Sequence, residues 1–117
     1  MSEIEMTKAA ADVLAERRRQ IETEGWTPEH DDEHYSGDLA AAAASYAVAA
    51  SYVVAPGSPG DPYTADDPPE MWPPEWEFKP GSARSMLVKA AALILAEIER
   101  LDRARGETAL RINVCNP

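Results

Sequence analysis

The sequence predicts an all-α fold, a bundle of three main helices over about residues 3–23, 37–55 and 82–105, with a Pro- and Trp-rich loop at 56–80. Three observations predict it. Apolar residues recur at three- and four-residue steps in the first and last of these segments. The middle segment, GDLAAAAASYAVAASYVVA, is a run of Ala, Val, Tyr and Leu in which only Asp38 is charged. Eight of the ten prolines then crowd into residues 56–80, a density that no helix survives.

Length and composition bound the rest. With 117 residues the chain is read as one helical domain over 1–106 followed by a tail over 107–117. Hydrophobic residues make up 44%, but Ala supplies much of that and buries little area. A core so thin is expected to be completed by homo-oligomerisation, as a homodimer or larger, with residues 39–54 in the shared core. The net charge of -10 excludes a nucleic-acid-binding surface as an expectation and suits cation binding or plain solubility. A single cysteine, Cys115, leaves no intramolecular disulfide and fits a cytoplasmic setting. Residues 1–20 carry a charged amphipathic pattern and not a signal peptide. The Ala-rich run is too short and too weakly hydrophobic for a membrane span, so it is read as a buried core helix.

The first helix places Met6, Ala10, Leu14 and Ile21 on one stripe, with Gly25 just beyond its end. At about 100° per residue Arg17 falls inside that stripe and Arg18 flanks it. A charge on a buried stripe must be paired or must extend its head outward, and the partners in reach are Glu99 and Asp102 of the last helix. The competing reading aims Arg17 at an anionic ligand. Thr27 and Pro28 then signal a short helical turn, cap followed by first position, which puts His30 and His34 on one face. In the loop, Tyr63, Trp72, Trp76 and Phe78 argue that its second half folds back over the bundle. The last helix starts after Ser82, stops at Gly106, and carries Leu87, Ala91, Ile94, Ile98 and Leu101 as its apolar stripe. Leu110, Ile112 and Val114 alternate weakly in the tail, which is expected to fray.

Three groups of residues carry candidate chemistry. His30, Asp31, Asp32, His34 and Asp38 are the densest set of metal donors in the chain and suit Mg, Mn or Zn, although no HExxH or paired CxxC is present. Glu99 and Asp102 could add two carboxylates one helical turn apart. Trp26, Trp72 and Trp76, with Arg17 and Arg18, are candidates for holding a nucleotide-like ligand, because an aromatic face stacks on any base. The plainer alternative is that Trp72 and Trp76 roof a small core. No GxSxG, Gly-rich phosphate loop or Cys–His pair points to nucleophilic catalysis.

The stretches ERRRQIETEGWTPEHDDEHYSGDLAAAAASYA and PPEWEFKPGSARSMLVKAAALILAEIERLD resemble a set of small phage and prophage proteins over nearly the whole chain. The opening helix, with Glu16-Arg17-Arg18-Arg19-Gln20 before Gly25-Trp26, is also similar to that of MazG-like all-α nucleoside triphosphate pyrophosphohydrolases. That resemblance implies a Mg2+ cage built from Glu-x-x-Glu on one helix and Glu-x-x-Asp on the next. Glu99 and Asp102 match the second half, whereas the Ala-rich helix offers no acid beyond Asp38. The expectation is therefore a phage-type protein that binds a nucleotide-like molecule, as a sponge for a host signal or precursor. The alternatives are a divergent hydrolase using the His/Asp turn and an adaptor that binds a host protein through the Trp-rich loop.

Overall fold

A computed structural model describes residues 5–34, 36–54 and 62–106; the expected tail and the first part of the loop, 55–61, lie outside these. The described chain is all-α. Helix α1 spans Lys8–Glu22, the short α2 Pro28–Asp32, α3 Asp38–Val54 and α4 Ala83–Ala104. Helix α1 begins later than the apolar pattern indicates, because Thr7 is its cap: residues 5–7 are not helical and the Thr7 hydroxyl accepts from Ala10 N–H. Thr27 and Ser82 cap α2 and α4 in the same way, accepting from His30 N–H and Ser85 N–H. Gly25, Gly37 and Gly106 all have positive φ, the conformation in which a glycine turns the chain out of or into a helix at no steric cost. No described helix is long and apolar enough to cross a membrane.

Helix α4 is the hub of the fold: it packs against α1, α2 and α3, and its longest contact is with α3. Leu39, Ala42, Ala43, Tyr46, Ala49 and Ala50 of α3 meet Met86, Ala90, Leu93 and Ala96 of α4. Alanines on both sides set a close packing distance but bring little apolar area. The loop supplies what they lack. Phe78 and Trp72 are fully or nearly buried, and around Tyr46 they form a box with ring centroids 5.0–5.2 Å apart. Two hydrogen bonds pin this roof. Lys79 N–H donates to the Tyr46 hydroxyl at 3.0 Å, and the Trp72 indole N–H donates to the Trp76 carbonyl at 2.8 Å.

The middle helix is buried along Leu39, Ala42, Ala43, Tyr46, Ala49 and Ala50, and its own chain leaves Val48, Tyr52, Val53 and Val54 exposed. One expectation needs correcting: the stripe of α4 read from the sequence does not face the chain's own core. Leu87, Ile94, Ile98 and Leu101 are each about half exposed, and the core side of α4 is Met86, Ala90, Leu93 and Ala96. Helix α4 carries two apolar stripes, and the bulkier one faces outward beside Ala10, Val13 and Leu14 of α1.

Ion pairs join α1 to the loop. Arg19 donates to Glu16 at 2.7 and 2.8 Å and to Glu24 at 3.2 Å, and Lys79 donates to Glu24 at 3.2 Å. Burial works to raise both carboxyls. The Arg19 hydrogen bonds on Glu16, and those of Lys79 and Arg19 on Glu24, outweigh it and hold both below the ordinary glutamate range. A carboxyl depressed in the folded state stabilises above its unfolded pKa, about 4.3, and loses that contribution as pH falls through its folded pKa. The melting temperature is therefore expected to drop as pH goes below about 4.3. Thermal melts of Arg19→Ala across the same range should show a shallower drop, and parallel curves for the two proteins would contradict it.

Candidate functional site

The site is built outward from a buried charge. Arg17 lies on the inner face of α1, 6% exposed, and its guanidinium is shared among three segments. It donates to Asp31 of α2 at 3.1 Å, to Glu99 of α4 at 3.1 and 3.2 Å, and to the Trp26 carbonyl at 3.3 Å. Its donors are thus committed within the protein and not aimed at a ligand pocket. Asp31 is completely buried. Burial pushes its carboxyl up, while the hydrogen bond from His30 and the charges of Arg17, His30 and Arg103 pull it back. Its second oxygen lies 3.4 Å from His30 Nδ1.

Four rings converge above this pair. His30 and His34 have centroids 4.5 Å apart and their Nε2 atoms 3.3 Å apart. Trp26 stacks parallel to His30 at 6.3 Å, Trp76 meets His34 edge-on at 5.0 Å, and the two indoles are 5.6 Å apart. His34 Nδ1 is 3.2 Å from Asp38, so each imidazole has a carboxylate at its Nδ1 side. Beside the rings lies a half-open cavity of about 240 Å3 lined by Trp26, His30, Trp76, Glu24, Glu75 and Glu77.

The residues singled out from the sequence divide accordingly. His30, His34, Asp31, Asp38, Trp26 and Trp76 come together. Asp32, next to Asp31, turns away to accept two hydrogen bonds from Arg103 and so fastens α2 to α4. Glu99 faces Arg17, Asp102 lies further along α4 with no part in the ring cluster, and Arg18 is exposed on α1. Trp72 belongs to the core roof. Among the described residues no three His, Cys, Asp or Glu side chains converge as a ready metal cage. Sequence reasoning missed the cavity glutamates, because neighbours of an indole in a non-helical loop need not share its face, yet here Glu75 and Glu77 line the cavity with Trp76.

Comparison of the chain with family models, curated proteins and solved structures finds no match.

The buried pair gives a direct expectation. Removing the guanidinium in Arg17→Ala leaves Asp31 buried without its counter-charge, at a cost of about 3–5 kcal/mol. Urea unfolding checks this, and a loss below about 1 kcal/mol, the scale of an exposed pair, would place Arg17 at the surface.

Proposed function

We propose that this chain is a binding module for a nucleotide-like small molecule captured together with a divalent cation. The observation that carries the reading is the convergence of Trp26, His30, His34 and Trp76 from three segments, with Trp26, His30 and Trp76 on the wall of a half-open cavity. Trp26 and Trp76 also pack against the core, but the two imidazoles are not among the core residues. An indole face stacks on a base, and the histidines offer nitrogen donors beside it. Glu24, Glu75 and Glu77 would repel a bare polyphosphate, so the phosphates must arrive with a cation.

Hydrolysis has less support. In a MazG-like cage Glu99 would be a metal ligand, but here its carboxylate accepts from Arg17. An adaptor working through the Trp-rich loop has less support too, because Trp72 is buried. The resemblance to phage proteins extends the reading to a sponge that sequesters a host nucleotide signal or precursor in the host cytoplasm. Self-association belongs to the same proposal, with its surface moved from α3 to α4. Leu87, Ala91, Ile94, Ile98 and Leu101 step by four, three, four and three residues, the spacing of a coiled-coil seam about 21 Å long. Apolar seams of this kind pair helix to helix, and a second α4 in antiparallel orientation sets the small Ala91 against a bulky residue of its twin.

Two outcomes are expected. Nucleoside triphosphates added with Mn2+ or Zn2+ should quench the tryptophan fluorescence, and Trp76→Ala should weaken binding about 5- to 100-fold, as for loss of one stacked base. Absence of quenching at millimolar nucleotide with every ion would remove the reading. Sedimentation should show a dimer at micromolar concentration, converted to a folded monomer by Ile94→Asp. A monomeric wild type would end the seam proposal.

A further inference from the structure

The ligand site just proposed needs a cation, and the two histidines say what kind. The inference rests on that reading for its biological purpose but on separate geometry for its chemistry. Asp31 and Asp38 are acceptors when ionised, so a hydrogen bond from each ring to its carboxylate puts the ring proton on Nδ1. In a neutral imidazole the other nitrogen, Nε2, then carries a lone pair. The two Nε2 atoms lie 3.3 Å apart, and with both ring protons on Nδ1 their lone pairs would face each other. Two bare acceptors at that distance repel, and a cation between or beside them removes the repulsion.

We infer that His30 and His34 bind one late first-row divalent ion of the Zn2+, Co2+ or Ni2+ type through their Nε2 atoms, with Asp31 and Asp38 as supporting carboxylates behind the rings. Distance supports it. Two nitrogens at Zn–N bonds of about 2.0–2.1 Å in a tetrahedron are about 3.3–3.4 Å apart, which matches the observed Nε2 separation of 3.3 Å. Helix α2 ends at Asp32 and His34 lies just past its cap, Glu33, so the pair comes from the end of a helix and not from an HExxH-type turn. The support behind the rings is of the kind that fixes imidazole ligands. Asp31 cannot swing in as a ligand, since Arg17 holds its other oxygen at 3.1 Å. It is placed to orient His30. Imidazole donors favour these ions over Mg2+ and Ca2+, which take oxygen.

Two protein donors leave further coordination positions for water or for phosphate oxygens. That is where the acidic cavity and the anionic ligand are reconciled. An ion held there would offset the charge of the cavity glutamates.

The test uses the full chain, stripped with chelator and then titrated separately with Zn2+ by calorimetry and Co2+ by visible absorption. The expected result is one ion per chain, with Co2+ ligand-field bands that intensify on binding and no response to Mg2+. His30→Ala and His34→Gln should abolish the bands while keeping the wild-type circular dichroism. Asp38→Asn should weaken Zn2+ binding about 10- to 100-fold, as for loss of an outer carboxylate. Equal Zn2+ and Co2+ responses in wild type and both histidine variants would overturn the site. So would no response in the wild type, which would mean a shared proton only. Nucleotide capture is read separately by indole quenching. Ion binding without capture upholds the metal site while removing the ligand reading, and ion-dependent capture that survives in both histidine variants removes the metal site while upholding the ligand reading.

Discussion

The rest of the structure depends on one buried cation. Arg17 is held inside the bundle by Asp31 from α2, Glu99 from α4 and the backbone of Trp26. Desolvating a guanidinium and a carboxylate together is expensive, and the mutual attraction offsets it only when hydrogen bonds are also satisfied. Here one side chain fastens three segments, and the spare oxygen of Asp31 is directed at His30. The stability of the bundle and the orientation of the candidate site therefore rest on the same pair. A hydrophobic replacement could hold α1 against α4, but it could not position Asp31 behind an imidazole.

A second constraint is the size of the core. Helices α3 and α4 meet largely through alanines, so the aromatic box of Tyr46, Trp72 and Phe78 supplies much of the apolar bulk. That explains why a proline-rich segment is ordered over the bundle: its prolines forbid a helix, while its rings have a vacant face to cover. The segment also brings Trp76 and its two flanking glutamates beside α2. The roof and the site wall are made by adjacent residues of one loop.

Much of this was legible in the residues. Thr27-Pro28 predicted the short α2 turn, Ser82 and Gly106 predicted the ends of α4, and an arginine inside an apolar stripe pointed to Glu99 as one partner, though not to the buried Asp31. Two features were not legible. On α4 both stripes are apolar, so periodicity identifies a helix but cannot say which stripe faces α3. The smaller one does, because alanines allow the closer approach. In the acidic turn, adjacent residues project about 100° apart, so Asp31 and Asp32 part ways: one goes to Arg17 and His30, the other to Arg103. Composition shows a dense group of donors. Only the three-dimensional arrangement shows that the aspartates stand behind the histidines and not beside them.

The most direct measurement of the account is the protonation pattern of the two imidazole rings, read by long-range proton–nitrogen NMR correlation on the Zn2+-loaded protein and on Asp31→Asn. Both rings are expected to carry their proton on Nδ1 in the wild type, and His30 alone should lose that preference in the variant. A wild-type His30 protonated at Nε2, or one indifferent to Asp31→Asn, would contradict the link from Arg17 through Asp31 to the site.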